Sequence, residues 1–220
     1  MLFDPKLSPR SVKLTLLLCI IFLVLAASTF DPEQSEPASP PSFDEDAEVV
    51  KKAQTGDEVS FNVLYQNNYA QIYRYLLRMV GSPDDASDLA VETFLKAWRR
   101  LPTLCDARKF RSWLYRIATN TAWDFLRHRQ IEQSSLENLY ETYTDEKTTN
   151  FESHLEKREL VKLALQQVSP KPLACLLLQT EGLSQKEIAE LLGLGEKSVA
   201  TYVYMAREQL RRAYKRLENS

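Results

Sequence analysis

From Phe61 to Val80, apolar side chains recur at steps of three and four: Phe61, Leu64, Tyr65, Tyr69, Ile72, Tyr73, Leu76, Leu77 and Val80. That period places them on one face of a single long helix and is incompatible with the alternation of a half-buried strand. It returns in Leu89, Phe94, Ala97, Trp98 and Leu101, then in Phe110, Trp113, Leu114 and Ile117, and again in Ala122, Phe125 and Leu126. Such stripes are buried only against one another, so the expected fold class is all-α. Glycine usage agrees, because five glycines in 220 residues fall well below the usual share of roughly 7% that turn-rich sheet folds draw on.

The punctuation divides the chain into two small helical domains. Thr55-Gly-Asp-Glu58 reads as a capping box ahead of the long helix. Ser82, Pro83, Asp84 and Asp85 supply an N-cap, a first-turn proline and two carboxylates suited to a helix start, and Pro102 stops that helix. Residues 48–130 thus form the first module. Residues 131–156 carry seven acids and one lysine without a sustained period, which predicts an acidic flexible linker over 131–154. A second module, 155–220, follows, with helix starts at Ser169-Pro170, at Ser184-Gln-Lys-Glu187 and at Glu196-Lys-Ser198.

Residues 1–47 are expected to be an extension. Leu14 to Ala27 is an apolar run behind Lys6, Arg10 and Lys13, and 14 residues of helix reach roughly 21 Å against a hydrocarbon core of about 30 Å. By itself this has the length of an export signal. The following stretch, Asp31 to Glu48, has seven acids, several prolines and no Lys or Arg. Cys19, Cys105 and Cys175 are odd in number and far apart, so neither a disulfide framework nor a metal site is expected, and a reducing cytoplasm fits. No cofactor motif is present.

Two constellations carry chemistry. Gln185 to Val199 has helix-turn-helix spacing: Ala189 is small where the second helix crosses, Gly193 takes the turn, and Ile188, Leu192, Leu194, Val199 and Val203 fill the space between the helices. With Val199, Val203, Ala206 and Leu210 facing inward, Lys197, Ser198, Ala200, Thr201, Tyr202, Tyr204 and Met205 are left for the major groove. Arg207, Arg211, Arg212, Lys215 and Arg216 form a phosphate-holding run. The second constellation, Arg108 to Arg129, sets six Lys/Arg against one acid and interleaves them with Trp113, Tyr115, Trp123 and Phe125. Cations that track a backbone, with rings that stack on bases, suit single-stranded nucleic acid. The formal net charge of −2 conceals this segregation.

Together the two modules resemble a bacterial RNA polymerase sigma factor of the two-domain, extracytoplasmic-function type. The resemblance runs from about residue 48 to 217 through Thr55–Phe61, Ser87–Trp98, Phe110–Asn120 and Glu181–Ala189. It implies that the first module binds core RNA polymerase, on the coiled coil of its largest subunit, through Asp88, Glu92, Lys96 and Trp98. It also implies that this module opens the −10 promoter element, with Lys109, Arg111, Trp113, Tyr115, Arg116 and Arg127 along the single strand and a flipped base against a short turn at Asn120. The second module would read the −35 duplex through Lys197, Ser198, Thr201, Tyr202, Tyr204, Arg207 and Arg211 and dock on the polymerase flap. The linker would run toward the RNA exit path, and an anti-sigma factor would be a further partner. Two departures from the family pattern stand out: Val91 replaces a polar Gln, and Ala200, Tyr202 and Met205 replace basic residues, which shifts the −35 preference toward thymine methyls and phosphates.

The resemblance also bears on residues 1–47, for which three readings stay open: a start codon downstream of Met1, a membrane tether through residues 14–27, or a secretion signal. Two other function classes fit these residues less well. A helix-turn-helix regulator that never touches polymerase has no use for the basic-aromatic run at 109–129. A DNA-recombining enzyme needs a nucleophile with partners, and His128 and His154, the only histidines, have none at plausible spacing, so no catalytic residues are expected.

Overall fold

The computed structural model describes residues 43–137 and 153–219. Every regular element among them is helical: α1 (Phe43–Gln54), α2 (Glu58–Val80), α3 (Pro83–Arg100), α4 (Phe110–Glu137), α5 (Ser153–Gln166), α6 (Pro170–Thr180), α7 (Gln185–Leu192) and α8 (Glu196–Glu218), with short 3-10 turns at Leu101–Thr103 and Ala107–Lys109. The apolar segment 14–27, residues 28–42 and the centre of the acidic linker lie outside the described residues. Among the described residues, no helix is long and apolar enough to cross a membrane.

In the first module, α2, α3 and α4 pack their apolar stripes together. Leu64, Ile72, Tyr75 and Leu76 of α2 meet Ala86, Ala90, Phe94 and Ala97 of α3 and Phe110, Leu114, Ile117, Ala118 and Ala122 of α4, all buried. Small residues on α3 and α4 allow close approach, and large rings fill the remainder: Phe61 lies 4.6 Å from Trp98, and Tyr65 meets Phe94 edge-on at 4.8 Å. Several buried hydroxyls are paired, as burial requires, while Tyr65 Oη, Arg111 Nε and Trp123 Nε1 are buried without a hydrogen-bond partner among the described residues. The Tyr75 and Thr119 hydroxyls are 2.7 Å apart, and Thr119 also donates to the Tyr115 carbonyl.

Three expectations are corrected. First, α4 runs unbroken through Asn120, so the expected turn is absent. The Thr-Asn-Thr triplet reads as a breaker in sequence, but Thr119 and Thr121 are buried with partners in Tyr75 and Lys96, and residues 110–137 contain no Gly or Pro to end the helix. Second, residues 131–137 extend α4 and α5 begins at Ser153, so both ends of the expected linker are helical; at the N-terminal side, α1 begins at Phe43, inside the expected extension. Third, the cap of α2 is Asp57, which accepts from the Ser60 amide at 3.2 Å. Thr55 instead donates to the Lys52 carbonyl at 2.7 Å, closing α1. Gly56, at φ 90°, turns the chain first, so the cap falls two residues later than Thr55. The Ser60 hydroxyl donates to Asp57 and holds its carboxyl below the usual range.

The second module wraps α5, α7 and α8 around α6, whose residues from Pro172 to Leu178 are all buried. Its turn chemistry is local and matches the sequence. Ser184 and Glu187 form a reciprocal capping box, Ser184 N–H to Glu187 at 2.8 Å and Glu187 N–H to the Ser184 hydroxyl at 3.2 Å. Gly193 ends α7 at φ 64°, a left-handed conformation that side chains disfavour.

The Ser184 hydroxyl, followed by its backbone N–H, lowers the Glu187 carboxyl below the ordinary glutamate range. A lowered folded-state value means that this stabilisation is present at neutral pH and is lost as pH falls through that value. Ser184→Ala is therefore expected to cost about 1 kcal/mol at pH 7, with a smaller difference in strong acid, in urea titrations followed by helix circular dichroism. A difference that does not change with pH contradicts the assignment.

Candidate nucleic-acid interface

Helices α7 and α8 form the helix-turn-helix. Ala189 is buried at their crossing, with Ile188, Val199, Val203 and Ala206 around it. Leu192 and Leu194 are half-buried, and so is Leu210, whose expected place in the core is taken by Ala213. The opposite face of α8 is open. Lys197, Ser198, Ala200 and Thr201 are exposed, Tyr204 and Met205 are 66% and 40% exposed, and Tyr202 is half-buried. Gly195 caps α8 without a side-chain bond, so the first amides of the helix have no side-chain cap. Farther along, Arg207 donates to Gln179 at 3.3 Å and Arg211 to Glu208 at 2.5 Å, both at the surface.

Helix α4 presents two different faces. Trp113, Arg116, Asn120 and Arg127 recur at three, four and seven residues, which keeps them on one side. Arg116, Asn120 and Arg127 are exposed there, as is Lys109 in the preceding turn. Trp113 is half-buried, with its ring 6.1 Å from Phe110. Arg127 pairs with Asp124 at the surface, a contact that water and salt weaken.

Arg111 and Tyr115 lie on the other face, against the second module. Glu181, at the end of α6, receives the Tyr115 hydroxyl at 2.7 Å and Arg78 Nη2 at 2.5 Å, while its carbonyl accepts from Arg111 Nη2 at 2.8 Å. Lys109 Nζ lies 3.5 Å from Glu190. Tyr115 is only 1% exposed, and burial, reinforced by the Glu181 charge, pushes its phenol well above the usual range. The structure therefore separates Arg111 and Tyr115 from the other residues expected to face the −10 strand. Arg78 and Glu181 were not among the sequence candidates, because no local pattern marks a contact between residues 103 apart.

The residues expected to meet polymerase lie on α3. Asp88 and Glu92 are exposed, and Lys96 pairs with Glu92 at 2.8 Å and donates to Thr121 at 3.1 Å. Trp98 is half-buried, its ring turned to Phe61.

A helical module with an open basic face is thus joined to a helix-turn-helix module, the two-part arrangement expected of a transcription factor that handles promoter DNA. "Sigma-70 region 2" matches residues 64–131 and "Sigma-70, region 4" matches residues 158–210. The chain is 31% identical over 180 residues to the ECF RNA polymerase sigma factor BldN of Streptomyces coelicolor, covering 78% of this chain and 68% of that one. It is also 31% identical over 180 residues to the ECF RNA polymerase sigma-E factor of Haemophilus influenzae, covering 75% and 93%. The chain belongs to the ECF RNA polymerase sigma factors and directs RNA polymerase in transcription initiation. The fold is shared with the sigma factor RpoE of Bartonella quintana, solved with the anti-sigma factor NepR (TM-score 0.57, 19% identity, 70% of this chain and 96% of that one). It is shared too with CnrH, solved with the cytosolic domain of CnrY (TM-score 0.56, 23% identity, 76% and 95%).

Because Ala189 is buried where α8 crosses α7, Ala189→Leu is expected to overpack the crossing and cost about 1–3 kcal/mol. Duplex binding should fall with it, read by thermal melting and by gel shift on promoter DNA. A variant of unchanged melting temperature and affinity contradicts the close crossing.

Proposed function

We propose that the open face of α4 holds the melted −10 strand while α8 reads the −35 duplex, so that one chain spans both promoter elements. The observation that carries this reading is the segregation of exposed charge. Arg116, Asn120 and Arg127 share an uncovered side of α4, with Trp113 at its edge as a stacking surface and Lys109, paired with Glu190, in the turn before it. Lys197, Ser198, Thr201 and Tyr204 occupy the groove-facing side of α8, with Tyr202 at its edge and Arg207 and Arg211 toward the phosphates. Ala200 and Met205, exposed where basic residues would form bidentate guanine contacts, favour thymine methyls. Asp88, Glu92, Lys96 and Trp98 supply the contact with the largest polymerase subunit, and the second module the contact with the flap. The factor works in the cytoplasm, where polymerase is, and performs no catalytic step of its own. The shared fold with RpoE of Bartonella quintana, solved with the anti-sigma factor NepR, supports an anti-sigma partner here. A duplex-binding regulator that ignores polymerase is disfavoured, since it would leave the region 2 module without a role.

Replacing Arg207 and Arg211 together with alanine is expected to weaken binding to −35 duplex and to flatten the plot of log affinity against log salt by about 1.8, two phosphates at roughly 0.9 each. An unchanged slope removes both residues from the interface.

A further inference from the structure

The residues around Glu181 have the composition of an anion site. Arg78, Arg111 and Tyr115 come from α2 and α4 of the first module and converge on one acidic residue of the second. The donors are set for an oxyanion: one guanidinium and one phenol on the two carboxylate oxygens, and a second guanidinium on the neighbouring carbonyl. The site is sheltered, with the Glu181 side chain 13% exposed, Arg78 34% exposed and Tyr115 buried. Its donor capacity is not exhausted, because Nε of Arg111 is buried without a partner among the described residues. Arg111 and Tyr115 also belong to the basic-aromatic run of α4, whose opposite face is open.

We propose that Arg78, Arg111 and Tyr115 form a phosphate site on the first module, and that Glu181 fills it in cis until the second module moves away and a backbone phosphate of the opened strand replaces it. The inference rests on the −10 reading of α4 and adds to it a residue on another helix, Arg78, and a competitor inside the chain, Glu181. A carboxylate suits the competitor's role because it presents two anionic oxygens to the same donors that a phosphate uses. The free chain then resists single strands, since the apparent affinity scales with the small fraction of molecules whose site is vacant. Separation of the two modules is the step that vacates it. Lys109, paired with Glu190, is released in the same movement.

The full chain is titrated with oligothymidylate over a range of salt, and its radius of gyration is measured by small-angle scattering. Glu181→Ala is expected to expand the chain and to bind about five- to tenfold more tightly, as for a site closed in most molecules. Glu181→Gln, which preserves shape and removes the charge, should change in the same direction by less and guards against an effect of misfolding. Arg78→Ala added to Glu181→Ala should leave the chain open, abolish the gain and reduce the salt slope by about 0.7, the value of one single-strand phosphate. Unchanged scattering and affinity in Glu181→Ala overturn the cis contact, and equal affinity and slope in the single and double variants overturn the phosphate site. If either occurs while holoenzyme still melts its promoter, the −10 reading survives; failure of holoenzyme to melt any promoter removes that reading as well.

Discussion

The rotational setting of α4 against α2 and α3 governs what the first module can offer. Phe110, Leu114, Ile117, Ala118 and Ala122 go into the core, and the bond between Tyr75 and Thr119 fixes the helix about its axis. Tyr75 is fully buried, and desolvation raises its phenol far above the ordinary range, so the hydroxyl stays neutral and needs that partner. A turn of one residue about the axis would carry Arg116 or Asn120 inward, and an unpaired buried cation costs several kcal/mol. The apolar stripe thus selects, by exclusion, the polar face that α4 leaves open.

From that setting follows the division of charge. The chain is almost neutral overall, at −2, yet Arg108 to Arg129 holds six Lys/Arg against one acid and Arg207 to Arg216 five against one, while residues 31–48 and 131–156 together hold fourteen acids against one lysine. The near balance reflects segregation, which lets basic faces act locally within a chain of low net charge. Glu181 and Glu190 bring the same complementarity into the folded unit, where acids of the second module meet Arg78, Tyr115 and Lys109 of the first.

What could be read from the sequence was set by the range of the interaction. The second module was legible nearly throughout: the Ser184 box, Gly193 and small Ala189 act over a few residues, and the period of α8 fixed Val199, Val203 and Ala206 as core. The Ser82-Pro83 start was legible for the same reason. Asn120 misled, because Thr119 and Thr121 owe their tolerance to Tyr75 and Lys96, partners 44 and 25 residues away. Thr55 misled because Gly56 displaced the cap to Asp57. Tyr115 was expected along the −10 strand, but a sequence shows neither that Glu181 covers it nor that Arg78 shares the contact.

The central claim is that one chain grips closed duplex with α8 and captures bases of an opened strand with α4. Permanganate footprinting of a promoter with core polymerase tests it most directly. Thymines at the −10 element are expected to become reactive only when this chain is present, and Asn120→Ala, which removes an exposed polar side chain from the open face, to lower that reactivity while the variant stays bound to polymerase. Equal reactivity with wild type and variant, or none with either, would contradict it.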